Sequence, residues 1–471
     1  MKDRHDHAPR LGDVLQAAAG RVSFHMPGHR QGRFMPEGTS FDWAALDTTE
    51  LPGTGDLNAP DGAVQAAYDR AARLFGAGKT WFITSGSTTS IFIMMAGMLR
   101  EGDAVIVPRA VHMATVHAIA VLGVRPIFVA AEGAPFPDGQ PTREAFIETI
   151  RRHPDARACF VLRPDYFGRA ADLAPIVEAA HARGMAVGVD EAHGAHWAVG
   201  DGSVPATALS LGADVVCQSA HKTLPALTPA SLLHLSEDAI EHRPELCERV
   251  AAMVQVFQTS SPSFPIAASI DMARAELEAC GRARIERLIA LHADIAERCP
   301  EGFRRCLGDG DDPTRLVLDF LATGRSRSEV ARAFDRAGID VEMIDLDRCV
   351  MLPALDQPAE DYARLLDVLR TLSSERRTTD PRPVRALARE RDRLLSRPAE
   401  FVCSPRQALF GRVDDPRVAR HVIAPYPPGM PTVWPGEPIT PDVRAHIEAL
   451  SREGIAVRGA DGCVASKARP R

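Results

Sequence analysis

From residue 61 to residue 222 the chain alternates short apolar runs with longer stretches of helical periodicity, and few folds accept that rhythm. The apolar runs span 81–84, 104–108, 126–130, 158–162, 186–190 and 214–218. Residues 61–75, before the first run, and 143–152 and 173–183, between later ones, carry apolar residues at helical spacing, and an apolar helix is expected from the Ser-Gly-Ser-Thr-Thr run to Leu99. Strands alternating with helices predict an α/β fold, a mostly parallel sheet covered on both faces. Such a sheet binds its ligands beyond the carboxyl ends of its strands. Each residue singled out below for chemistry follows one of these runs.

The flanking regions read differently. Residues 1–60 hold Pro27, Gly28, Gly32, Pro36, Gly38, Pro52, Gly53 and Gly55, and only 13–19 suggests a helix. This N-terminal arm is expected to be irregular, and either functional or wrapped on a partner. A large ligand-binding domain is expected over 61–300. A small α+β domain follows over 301–375, with strands at 316–320, 340–344 and 350–355 and helices at 328–337 and 360–372. Residues 373–383 are polar and proline-bearing, which reads as a linker. The last domain, 384–471, contains APYPPGMPTVWPGE at 424–437, too rich in proline for an interior strand or helix.

Composition excludes several classes. The 471 residues are 45% hydrophobic and 25% charged, unlike a disordered chain. A net charge of −7 offers no basic face to nucleic acid. The longest apolar stretch, around 90–99, is too short to cross a bilayer. The start, MKDRHDHAPR, is charged and lacks the apolar core of a secretory signal. None of the nine cysteines pairs at the two-residue spacing of a zinc or redox motif. Free thiols and a cytoplasmic protein without membrane or nucleic-acid partners are expected.

Four motifs follow the strand ends. Ser219-Ala220-His221-Lys222 sets a lysine just past a buried run, where desolvation favours the neutral amine that forms a Schiff base with an aldehyde. Ser219 and His221 could hold a phosphate. Asp190-Glu191-Ala192-His193 sets a carboxylate at a buried strand end, where it needs a partner such as a protonated pyridine nitrogen. Ala192 leaves room for a ring, and His193 could reach its edge. Ser85-Gly86-Ser87-Thr88-Thr89 opens a helix, and the Ser87 and Thr88 hydroxyls with the first amides make an anion site. His112 could stack on a flat ring. Singly, each also reads as a loop lysine, a capping or metal-binding acid, a plain N-cap or a structural histidine. A second metal ligand is hard to place around Asp190, so no metal is expected. The order is what discriminates: phosphate loop, stacking histidine, acid and lysine follow successive strand ends. Together they predict a site for pyridoxal 5'-phosphate.

With these residues in view, the chain resembles the ornithine/lysine/arginine decarboxylases of the aspartate-aminotransferase fold, in the short form lacking an N-terminal wing domain. The likeness is carried by FHMPGHRQG (24–32), TELPGTGDL (49–57), DEAHGAH (190–196), SAHKTLPALT (219–228), TSSPSFPIAASID (259–271) and APYPPGMP (424–431). The resemblance implies Lys222 as the Schiff-base lysine, Asp190 on the pyridine nitrogen, His112 stacked on the ring, and Ser87, Thr88, Ser219 and His221 on the phosphate. It implies that residues 259–261 reach the cofactor phosphate of a neighbouring subunit, hence a homodimer or higher homo-oligomer. The chain departs from the family pattern at Ser85, Met113, Ala114 and Pro229. Asp165 also departs; it would add negative charge near the site, to recognise a basic side chain or to repel the substrate carboxylate.

The activity implied is decarboxylation of arginine, lysine or ornithine to CO2 and a di- or polyamine, as in polyamine biosynthesis, with Lys222, Asp190 and His112 as the catalytic set. The distal cation would meet Glu50, Asp56, Asp165 or Glu342. The alternatives are oxidative deamination or decarboxylation, transamination, and a silent regulatory relative. Intact Lys222 and Asp190 argue against the last.

Overall fold

The computed structural model describes residues 21–30, 32–35, 46–129, 140–374, 382–398, 400–427 and 429–460. The helix expected at 13–19 lies outside them. Strand β1 (Val22–Phe24) belongs to the arm. The central sheet contains β2 (Lys79–Ile83), β3 (Ala104–Pro108), β4 (Arg125–Val129), β5 (Ala158–Leu162), β6 (Ala186–Asp190), β7 (Val215–Ser219) and β8 (Ser231–Leu235). Their order is β2-β8-β7-β6-β5-β3-β4. All run parallel except β8, which opposes both its neighbours, β7 and β2. The expected α/β sheet is therefore present, with one antiparallel strand that was not anticipated.

The strands β3, β6, β7 and β8 are buried along their whole length, as a sheet covered on both faces requires. The helix Gly86–Met98 is apolar on every side, and it lies buried between β6, β7, β8 and the helix Pro244–Phe257. The helices Arg143–Arg152 and Ala174–His181 pack together and on β4 and β6.

The long helix Phe264–Arg298 leads to a second, antiparallel sheet. Its strands are β9 (Arg304–Arg305), β10 (Leu316–Asp319), β12 (Met343–Ile344) and β13 (Arg348–Met351), in the order β12-β13-β10-β9; β11 (Ile339–Val341) stands apart from it. The strand expected over 340–344 is broken at Glu342, whose carboxylate turns to the arm. Strand β1 pairs in parallel with β11, Val22 opposite Ile339, so the arm is not irregular throughout. Residues 373 and 374 end the helix Ala359–Ser374, and Pro383 lies in the first turn of Arg382–Ser396, where a missing N–H costs nothing. The intervening 375–381 lie outside the described residues. The proline-rich run contributes only a two-residue strand, β14 (Ala424–Pro425), paired with β15 (Val457–Arg458). Among the described residues no helix is long and apolar enough to cross a membrane.

Candidate active site

Sheet order assembles the site. Strands β7, β6, β5 and β3 are consecutive neighbours, so segments 219–222, 190–193, 163–168 and 109–112 emerge side by side at their carboxyl ends. Lys222 Nζ lies 3.1 Å from His193 Nε2. Burial lowers the Lys222 pKa below the ordinary lysine value, against the opposing pull of Asp190 and Glu342. Asp190 is 3% exposed. Its Oδ1 accepts the Ala192 amide (3.1 Å) and the Cys217 thiol (3.7 Å). Burial raises its pKa, and the Lys222 charge offsets part of the rise.

His193 is buried and its Nδ1 has no partner. Burial, then the charges of Lys222 and Arg315, push its pKa well below the ordinary value, so the ring is neutral. His112 caps the helix Met113–Leu122, its Nδ1 accepting the Ala114 amide at 3.2 Å. Burial and then Lys222 push its pKa down to about 4. Ser219 donates its hydroxyl to Ser87 Oγ (2.9 Å), joining the end of β7 to the first turn of Gly86–Met98. Thr88 is exposed at the same helix end. His221 Nδ1 is taken by the Ala230 backbone, 2.8 Å from its carbonyl and 3.2 Å from its amide, leaving Nε2 for a ligand. The structure thus brings Lys222, Asp190, His193 and His112 into one electrostatically coupled group. Ser87 and Ser219 touch, with Thr88 and His221 flanking them in sequence.

The arm lies against this group. Gly28 donates to the His221 carbonyl (2.8 Å), and a Cβ at Gly28 would stand 2.4 Å from the Leu224 carbonyl oxygen. Only glycine lets the chain come so close to the lysine turn. His25 Nδ1 is 2.5 Å from Glu342 Oε2, the Met26 amide donates to the same oxygen (3.4 Å), and the Tyr166 hydroxyl donates to Oε1. The Glu342 hydrogen bond, against burial, raises the His25 pKa above its usual 6.5. A histidine raised in this way stabilises the folded arm fully below about pH 6.5, and that contribution is lost as pH climbs through the raised value. The His25 side chain is 46% exposed, so solvent screening keeps the gain to ~1 kcal/mol or less. Amide exchange across β1, corrected for intrinsic rate, is expected to quicken from mildly acidic to alkaline pH, and His25→Gln should flatten the profile. A flat profile in the unaltered protein would show that the pair does not hold the arm.

A family model for the Orn/Lys/Arg decarboxylase major domain matches residues 14–301. The arginine decarboxylase of Bacillus subtilis (strain 168) is 31% identical over 484 aligned residues, covering 97% of this chain and 96% of that protein. The chain belongs to the Orn/Lys/Arg decarboxylase family. As a member, it is a decarboxylase of basic amino acids. Lysine decarboxylase A from Pseudomonas aeruginosa superposes with a TM-score of 0.70 at 20% identity, over 93% of this chain and 75% of that one. An alanine–glyoxylate aminotransferase from Nostoc sp. superposes with a TM-score of 0.55 at 16% identity, over 75% and 95%. The fold is that of the pyridoxal phosphate-dependent, aspartate-aminotransferase-like enzymes.

Within this decarboxylase, the four acids considered for the distal cation separate. Glu50 is exposed on the arm, and Asp56 Oδ1 accepts the Asn58 amide (2.7 Å). Asp165 corrects an expectation. Its carboxylate takes Arg169 Nε (2.7 Å) and the amides of Phe167 (2.9 Å) and Arg169 (3.0 Å), so its charge is neutralised within its own turn. Of the four, Glu342 is the one whose charge reaches Lys222. Residues 259–261 are exposed, and the Thr259 carbonyl accepts Asn58 Nδ2 (3.2 Å).

Sequence reasoning missed a buried acid and two buried arginines. Glu191 takes Gln218 Nε2 (2.7 Å), the Ala208 amide (2.8 Å) and Arg163 Nη1 (3.2 Å). Burial raises its pKa to about 7 against the Arg163 charge. This cluster braces the strand ends that carry Asp190. The second arginine, Arg315, is 2% exposed and donates to the Tyr166 carbonyl (3.0 Å). The only trace of either arginine in the sequence is its place beside an apolar run. Among the described residues no group of three or more His, Cys, Asp or Glu side chains could hold a metal ion.

Proposed function

We propose that this chain is an arginine decarboxylase that uses pyridoxal 5'-phosphate, and that it works in the cytoplasm as a homodimer or larger homo-oligomer. The observation that carries the reading is the meeting of Lys222, His193 and Asp190 at adjacent strand ends, with Lys222 and Asp190 each opposing the other's shift in pKa. The residues suit the cofactor. Asp190 is a buried carboxylate short of positive partners, and His193 Nδ1 is a buried polar atom without one. Ser87 and Ser219 meet at a helix N-terminus, where amides and hydroxyls favour a phosphate. Arginine is preferred because the Bacillus subtilis relative, matched over nearly its whole length, is named an arginine decarboxylase.

When bound, the cofactor supplies an aldehyde carbon for the substrate amine and a ring that accepts the electron pair left as CO2 departs. Lys222 Nζ would hold that aldehyde before the substrate arrives and is the amine placed to carry a proton to Cα. Asp190 would hold a proton on the ring nitrogen, and His112 and His193, both neutral, would meet the ring without competing for protons. Ser87, Thr88, Ser219 and His221 Nε2 would hold the phosphate. Residues 259–261, exposed on the protomer, serve the phosphate of a neighbouring subunit.

Purified protein supplied with pyridoxal 5'-phosphate is expected to release CO2 and agmatine in equal amounts from arginine, with a higher kcat/KM than for lysine or ornithine. Keto-acid formation or oxygen uptake without CO2 would overturn the reading.

A further inference from the structure

The charge of Arg315 is a feature the reading above leaves unused. The residue is buried just ahead of β10, and no ion pair of Arg315 forms among the described residues. Its Nη1 donates to the Tyr166 carbonyl at 3.0 Å, and its Nη2 has no partner. The nearby acid, Asp312, gives its Oδ1 to the Thr314 hydroxyl (2.6 Å) and amide (3.0 Å) and sets its Oδ2 3.3 Å from His196; it feels the Arg315 charge, but no hydrogen bond joins the two side chains. A buried guanidinium with an N–H left over is costly unless an anion completes it.

The fold builds a seat for this side chain. Gly168 has φ +97°, and a Cβ there would stand 2.8 Å from Arg315 Cβ and 3.0 Å from its Cγ, so the turn closes round the arginine stem. The Asp312 amide donates to the Gly168 carbonyl (2.8 Å), locking the two segments together. A chain of contacts then leads to the reacting amine. The Tyr166 ring stands 5.6 Å from the His193 ring, centroid to centroid, and His193 Nε2 touches Lys222 Nζ. The Arg315 charge is accordingly felt at both His193 and Lys222.

We propose that Arg315 Nη2 binds the α-carboxylate of the substrate. The assignment rests on the decarboxylase reading and deepens it. A basic amino acid has one anionic group, and a guanidinium repels its distal cation. The cofactor phosphate has its own donors at Ser87 and Ser219, on strand ends other than the one that carries Tyr166. With Nη1 turned to the Tyr166 carbonyl, the N–H groups of Nη2 are left to meet the carboxylate, and that contact fixes the direction of the Cα–carboxylate bond. The contact vanishes when CO2 leaves, so it favours the amino acid over the amine product.

The test compares arginine with agmatine, the same molecule without its carboxylate, on the cofactor-loaded enzyme. Arg315→Gln is expected to lower kcat/KM for arginine, and to weaken its calorimetric binding, on the order of 100-fold, while the Kd of agmatine stays within about 3-fold. Arg315→Lys should recover part of the loss, and thermal melts identify a variant that fails to fold. Equal weakening of both ligands, or of neither, overturns the assignment and leaves the decarboxylase reading standing. Unaltered protein that binds arginine but releases no CO2 sinks the decarboxylase reading instead, and the binding comparison still decides the role of Arg315.

Discussion

Replacing Lys222 with alanine is expected to reduce CO2 release by about 10⁴-fold or more, and to abolish the visible absorbance the cofactor gains when joined to an amine. The expectation comes from how little else could substitute. Lys222 is an amine whose pKa burial lowers, which enlarges the neutral fraction able to attack a carbonyl carbon. His193 Nε2, 3.1 Å away, is an imidazole held neutral by burial, and it cannot form a stable imine. Stability should move far less than activity. The alanine removes a group that is unfavourable to bury, and Asp190, deprived of its counter-charge, can take up a proton because burial already raises its pKa. A variant that melts normally but is inert separates chemistry from folding. Retained turnover together with a retained absorbance band would remove Lys222 from the centre of the reaction.

The strands that present these groups were legible because they are buried on both faces, so their runs are apolar without interruption. Ala104–Pro108, Ala158–Leu162 and Ala186–Asp190 match the structure residue for residue. The same logic passed over Ser231–Leu235, whose antiparallel direction depends on the return of the chain from the lysine turn and not on its own composition. Strand β1 escaped for a related reason: its partner, β11, lies more than three hundred residues away, and three residues carry too little periodicity to announce a strand. Asp165 shows the limit for charge. Its place after a strand end suggested a free carboxylate, yet Arg169, four residues on in the same turn, cancels it. Arg163, Glu191 and Arg315 look like solvated charges in the sequence, and only tertiary packing makes them buried and decisive. The Ser87–Ser219 contact likewise exists only because β2 and β7 flank β8 in the sheet.

The C-terminal segment is tied to the site by one buried ion pair, and Glu437→Gln is expected to destabilise the protein by about 3–5 kcal/mol. Arg109, three residues before His112, directs Nη1 to Glu437 Oε2 at 2.9 Å, and its Nη2 contacts Oε1. The two side chains are 2% and 1% exposed. Burial lowers the Arg109 pKa only to about 10, so the guanidinium stays charged at neutral pH and the bond is ionic. Glu437 also accepts the Trp434 amide (2.9 Å), and the Trp434 indole donates to the Arg109 carbonyl (3.3 Å) while its ring meets Phe128 edge-on at 4.7 Å. Glutamine keeps the shape but leaves a buried cation uncompensated, and this is the source of the loss. Exchanging both partners for methionine removes the Arg109 charge as well as its counter-charge, and should restore much of the stability, short of the Trp434 amide left without an acceptor and of Arg397, whose Nη2 stands 3.6 Å from Glu437 Oε2. Activity is expected to fall with the single variant, because Met430 of the same segment packs with Ala110 and Phe167 beside the site. Denaturant titration of the single and double variants reads the difference directly. A single variant within about 1 kcal/mol of the parent would place the pair among ordinary surface bridges, and the C-terminal segment would then be held by the Trp434–Phe128 packing instead.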